Sequence, residues 1–175
     1  MMLGLNGLET FREIKKIYMA VVSGLVKMDR GVINKPIGRS PKDFRRYSAG
    51  RGARGEMREA ETFYKVLKRF ETPKFSLAKF SLLEIRPKTG RTHQIRVHMA
   101  HIAHPLLGDQ LYGGRPRPPK GAGEEFLNVL RNFKRQALHA AMLRLAHPRT
   151  GDVMEWHAPL PEDFVELIEA LKADY

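Results

Sequence analysis

The segment 86-RPKTGRTHQIRVHMAHIAHPLLGDQLYGG-114 gathers basic, hydroxyl and imidazole side chains around an apolar helical pattern. Arg91 and Arg96 are suited to hold a phosphate or a carboxylate, because a guanidinium presents its donors as a planar fork. Thr89 and Thr92 either assist them as hydrogen-bond partners or cap and orient the helix, with Arg91 left to a surface ion pair. His93, His98, His101 and His104 raise the question of a metal. On an ideal helix His93 and His104 stand about three turns apart. His98 points away from the His101–His104 pair, no carboxylate completes a ligand set, and HExxH is absent. These histidines are therefore read as packing, hydrogen-bonding or RNA-facing groups, and no metal is expected. Asp109 sits between glycines and is assigned to the turn rather than to catalysis; Asp29 and Asp43 have still less around them. No nucleophile elbow, P-loop or dinucleotide-binding site is expected.

The elements that must carry these residues read as an α/β mixture with antiparallel pairing. A short helix is expected over residues 5–14, then a strand over 17-IYMAVV-22 buried on both faces. A short strand is expected near Val32. Thr62–Phe70 and Phe75–Arg86 read as the arms of a hairpin. Thr92–Ala103 reads as a helix with Ile95, Met99 and Ile102 on one face and Arg96 at its edge. The run 115-RPRPPKGAG-123 reads as a surface excursion with polyproline character. A short helix at Glu124–Arg131 and strands at Leu138–Ala146 and Met154–His157 follow. The last helix is marked by Pro161, the early Glu162 and Asp163, and Phe164, Leu167, Ile168 and Leu171 at helical spacing.

At 175 residues the chain suits one core. Its net charge of +12 is unevenly placed. Residues 35–91 hold 16 basic and 6 acidic side chains, whereas residues 152–175 hold 1 basic and 7 acidic. The basic, glycine-rich stretch over residues 39–58 has no sustained period and is expected to be a flexible loop that orders on RNA. Arg39, Arg45, Arg46, Arg51 and Arg54 are its candidate contacts. The absence of cysteine excludes disulfides and thiolate catalysis. No apolar run reaches the ~18 residues of a membrane span, and the start lacks a secretory pattern. A cytoplasmic protein with a polyanionic partner and no membrane association is the expectation.

The motif 88-KTGRTHQIRVHMAHIAHPLLGDQLYGG-114 resembles the bacterial-type large-subunit ribosomal RNA pseudouridine synthase family. The segments 16-KIYMAVVSG-24, 36-PIGR-39, 60-AETFYKVL-67, 136-QALHAAMLRLAHP-148 and 158-APLPEDF-164 carry the resemblance along almost the whole chain. It implies an α+β fold, a mixed and largely antiparallel sheet with flanking helices, and isomerisation of uridine in ribosomal RNA without a cofactor. By this resemblance Tyr18 is the active-site tyrosine that stacks on the target base and assists proton removal. Arg96 is the basic residue that pairs with a catalytic aspartate, and Ile95 is its apolar neighbour in the pocket floor. Arg91 and His93 become RNA-positioning groups.

The family's aspartate lies in a stretch like H-R-L-D-x-x-T-S-G ahead of the K-x-Y segment, and no such stretch occurs in these 175 residues. The chain is therefore expected to be a partial catalytic domain, truncated at its N-terminus and inactive by itself. It would act with a separate N-terminal fragment, as a homo-oligomer, or as an RNA-binding or partner-binding module. Asp109 is not expected to stand beside Arg96.

Overall fold

The computed structural model describes residues 14–71, 79–114, 118 and 120–173. Among these residues nine strands and three α-helices follow in order: β1 (Lys15–Ser23), β2 (Arg30–Asn34), β3 (Ile37–Arg39), β4 (Tyr47–Ala49), β5 (Arg54–Arg58), β6 (Glu61–Glu71), β7 (Lys79–Pro87), α1 (Gln94–His101), α2 (Glu124–Asn132), β8 (Leu138–Ala146), β9 (Val153–His157) and α3 (Glu162–Ala173). Six strands form one sheet in the order β2-β6-β7-β1-β8-β9, every pair antiparallel. The fold is α+β, a largely antiparallel sheet flanked by helices. Residues 5–13 of the expected helix and residues 115–117 and 119 of the proline-rich run lie outside the described residues.

β1 is central, hydrogen-bonded to β7 on one side and β8 on the other. That position explains its unbroken apolar run, since Ala20, Val21 and Val22 are all fully buried and both faces of the strand are covered over this stretch. Alternate residues serve different layers. Val21 packs with Phe70, Phe126, Phe133 and the α3 residues Phe164, Leu167 and Leu171. Ala20 and Val22 pack on the opposite face with Leu83, Ile85 and the α1 residues Ile95 and Met99. Each such large side chain contributes on the order of 1.5–3 kcal/mol by leaving water. α3 begins with acidic residues in its first turn, where the helix dipole favours them.

The stretch expected as a loop contains strands. β3, β4 and β5 form a second, three-stranded antiparallel sheet in the order β4-β3-β5. Its pieces are too short to show an alternating pattern, and every residue of β5 is exposed. Backbone pairing rather than apolar burial defines it. Ile37 and Ala49 are the exceptions, buried with Ala60, Val97 and Tyr112, and they fasten this sheet to α1.

Candidate active site

Tyr18 in β1 faces Ile85 of β7 and Ala140 of β8, at a bulge where the β1–β8 register shifts by one residue. Bulges re-aim side chains and are common beside functional sites. Here the bulge lies next to a cleft of about 240 Å3 lined by Lys16, Tyr18, Arg91, His93, Ile95 and Arg96, among others. The residues singled out around the motif therefore converge from β1 and the start of α1. A larger cleft of about 420 Å3 lies between α2 and α3, but Glu125, Asp163 and Glu166 line it, and their sign is wrong for a polyanion.

α1 is seated by a chain of hydrogen bonds that fixes Ile95 and Arg96. The Gln94 carbonyl oxygen accepts from the Thr89 hydroxyl at 2.7 Å and the Arg91 amide at 3.0 Å. Its amide group donates to the Glu61 carbonyl and to the Thr62 hydroxyl oxygen, both at 3.0 Å. Thr62 donates in turn to Nδ1 of His98 at 2.7 Å, and Nε2 of His98 donates to the Lys35 carbonyl at 2.8 Å. Thr62, Gln94 and His98 are all buried, so this chain is fully partnered where an unpaired group would be costly. Burial holds the His98 pKa below the usual imidazole value, outweighing the bond to Lys35. Thr89 thus orients the helix, while His93 occupies the N-cap at φ 55° and no side chain caps it. Arg91 donates to the Glu59 carbonyl at 2.9 Å.

Arg96 meets an aspartate of its own chain. Its Nε donates to one Asp109 oxygen at 2.7 Å and its Nη2 to the other at 2.9 Å. The expectation that Asp109 would stand apart from Arg96 is corrected here. Its assignment to the turn holds as well, because Asp109 Oδ1 accepts the amides of Leu111 and Tyr112, each at 3.0 Å. Gly108 makes the placement feasible, with φ +75° and a Cβ position blocked by the Arg135 carbonyl. Burial opposes the charged form of Asp109, yet Arg96 and the two amides together bring its pKa below the usual aspartate value. The Asp109 bonds raise the Arg96 pKa. The Asp109 side chain is fully buried and is not among the cleft-lining groups, whereas Arg96 lines the cleft and is 15% exposed. Asp109 uses the Nε side of the guanidinium, so Nη1 is left without a hydrogen-bond partner among the described residues.

Tyr112 ties this pair to the small sheet. Its ring lies 5.0 Å from the Arg96 guanidinium and 5.3 Å from that of Arg46. The Tyr112 oxygen accepts the Tyr47 amide at 3.0 Å and contacts Nδ1 of His93 at 2.9 Å. With its oxygen accepting the Tyr47 amide, the Tyr112 hydroxyl is the donor to Nδ1, which puts the His93 hydrogen on Nε2. Burial and then the Arg96 charge lower the His93 pKa. His93 thus lines the cleft as a neutral N–H donor.

The candidate RNA-contacting arginines divide into two groups. Arg39 stacks on Tyr47 at 4.7 Å and bonds to the Phe44 carbonyl, and Arg45 is held by Asp43 at 2.9 Å. Arg51 and Arg54 make no side-chain hydrogen bond or ion pair among the described residues and are exposed. The spacing G-x-G-x-x-G does occur at Gly50, Gly52 and Gly55. Gly50 and Gly52 lie in the 3-10 turn that joins β4 to β5, Gly55 lies within β5, and none of them opens an α-helix, so they form no dinucleotide cradle. Among the described residues no group of three or more His, Asp or Glu is placed to hold a metal ion. Lys16, Gln94 and Tyr112 were not singled out from the sequence. Lys16 could have been suspected from its position two residues before Tyr18 on one face of a strand.

A largely antiparallel sheet flanked by helices thus carries a basic, aromatic cleft at a bulge in β1–β8 and at the start of α1. Its sequence matches the RNA pseudouridylate synthase family over residues 4–101, more than half of the chain, and the chain belongs to that family. It is 56% identical over 164 residues to Ribosomal large subunit pseudouridine synthase D of Pasteurella multocida, and 51% identical to the Escherichia coli K12 protein of that name. Each match covers 94% of this chain and 47% of the relative, so the chain spans about half the length of these relatives. The structure is similar to that of Human RNA Pseudouridylate Synthase Domain Containing 1, with a TM-score of 0.65 and 25% identity, over 97% of this chain and 73% of the other.

Proposed function

We propose that this chain supplies the arginine-and-tyrosine side of a site that isomerises uridine to pseudouridine in ribosomal RNA, and that it does not catalyse the reaction alone. The reading rests on one observation: Tyr18, Ile95 and Arg96 line a single cleft, with Arg96 Nη1 making no hydrogen bond among the described residues beside the buried Asp109. The reaction breaks the bond between the base and the sugar and rejoins the sugar to C5 of the base. A carboxylate nucleophile from the family's aspartate segment would be kept ionised by Arg96. Tyr18 would stack on the base once it has left its helix, and its hydroxyl would assist removal of the C5 proton, N1 being protonated in the product; Lys16, Arg91 and His93 would hold the adjoining backbone. Asp109 does not serve as the nucleophile, since its two oxygens are occupied and buried.

The test is a fusion in which this chain replaces the matched segment of the Escherichia coli relative. The fusion should form pseudouridine in ribosomal RNA, and Arg96→Met and Tyr18→Phe should each abolish most of that activity while leaving the fold intact by circular dichroism. Full activity in both variants would overturn the assignment.

A further inference from the structure

The outer end of the main sheet is open on the face that carries the cleft. On β1, Lys16 and Tyr18 point to that face, and Lys16 stands opposite Leu143 of β8. Leu143 is in turn opposite Trp156 of β9, and Leu145 opposite Met154. Alternation puts all four apolar side chains on the cleft side, in a strip continuous with Lys16 and Tyr18. The strip is poorly covered: Trp156 is 47% and Met154 36% exposed, while Leu143 and Leu145 are half-buried. α1 covers the other end of this face, and β9 has no extended contact with any described element except β8. A half-open strand carrying a Trp and a Met is characteristic of a surface that is finished by another polypeptide.

We propose that the strip formed by Leu143, Leu145, Met154 and Trp156 is the docking surface for the remaining half of the relatives' polypeptide, whether joined to this chain or separate. The inference rests on the proposed function and deepens it by placing the partner. Two facts select this occupant. The relatives contain about as much polypeptide again as this chain matches, enough to cover such a face. The strip also runs directly into the cleft, so material packed on it reaches Tyr18 from the side that α1 leaves open. A second copy fits less well, because each copy carries a net charge of +12 and would bring Lys16 and its neighbours against their own kind.

Hydroxyl-radical footprinting read by mass spectrometry tests this directly, because Trp156 and Met154 are both oxidisable. Met28, at the opposite edge of the sheet and 67% exposed, is the internal reference. In the isolated chain, Trp156 and Met154 should label freely. In the fusion described above their labelling should fall several-fold relative to Met28. Trp156→Glu should leave the melting temperature of the isolated chain nearly unchanged but lower that of the fusion by several degrees. Equal labelling in the two proteins would overturn the proposal. So would protection in the isolated chain accompanied by the mass of a dimer, which would assign the strip to a second copy. The footprint does not depend on turnover: protection in an inactive fusion would overturn only the functional reading, and an active fusion with Trp156 still labelled would overturn only the docking surface.

Discussion

The Arg96 guanidinium is gripped by the Asp109 carboxylate through two hydrogen bonds of 2.7 and 2.9 Å, although the two residues lie on opposite sides of a helix end and a turn. One carboxylate thus joins the turn to the cleft wall.

Asp109→Ala should be among the more damaging single substitutions. It removes the partner of a largely buried cation and frees two amides, and breaking such a pair costs about 3 kcal/mol or more. Urea denaturation at neutral pH measures the loss. Because the folded-state pKa of Asp109 is depressed, its contribution is present above the unfolded value of about 3.9 and is lost as pH falls through the lower folded value. A wild-type chain should therefore lose stability below about pH 4, and Asp109→Asn should flatten that part of the profile.

His98 sets a second, milder pH dependence. Its folded pKa is also lowered, chiefly by burial. The unfolded chain takes up the proton first, so this contribution is complete above about pH 6.5 and declines as pH drops toward the folded value. Thr62→Val should cost about 1–3 kcal/mol by leaving Gln94 and His98 short of a partner. It should also alter the slope between pH 6 and 7, a range set by the ordinary imidazole value of about 6.5. Thermal melts across that range check both effects.

RNA affinity should divide the arginines by their existing partners. Arg51→Ala and Arg54→Ala should each weaken binding and reduce the salt slope by about 0.7 for a single-stranded contact. Arg45→Ala should change the slope less, because Asp43 already neutralises that side chain. Titration of a ribosomal RNA fragment at several salt concentrations measures these slopes. Equal slopes for all three variants would contradict the division.

The small sheet should be coupled to the cleft through Tyr112. Tyr112→Phe keeps the ring between Arg46 and Arg96 but removes the oxygen that meets Tyr47 and His93. The expected outcome is a rise in the His93 pKa with a stability loss of about 1 kcal/mol. Imidazole titration by NMR reads the first, and urea denaturation the second.

The legible parts of this molecule were those with a burial signature. β1 announces itself as an apolar run because both of its faces are covered at Ala20, Val21 and Val22, and α3 through the spacing of Phe164, Leu167, Ile168 and Leu171. The β6–β7 pairing was also readable, from two β-rich runs on either side of Pro73. β3, β4 and β5 were not, since three-residue strands and a wholly exposed β5 carry no hydrophobic period. Tyr18, Ile95 and Arg96, named from the family resemblance, line one cleft. The Arg96–Asp109 pair escaped because it depends on how the chain reverses after α1, with Ala103 at φ 65° and Gly108 at φ 75°. Neither dihedral leaves a periodic trace in the sequence.

The measurement closest to the central claim is pseudouridine formation by the isolated chain on ribosomal RNA, followed by mass spectrometry of the digested product. With Asp109 buried and committed to Arg96, Leu111 and Tyr112, no pseudouridine above background should form. Isomerisation by the chain alone, lost in both Asp109→Asn and Tyr18→Phe, would contradict the account.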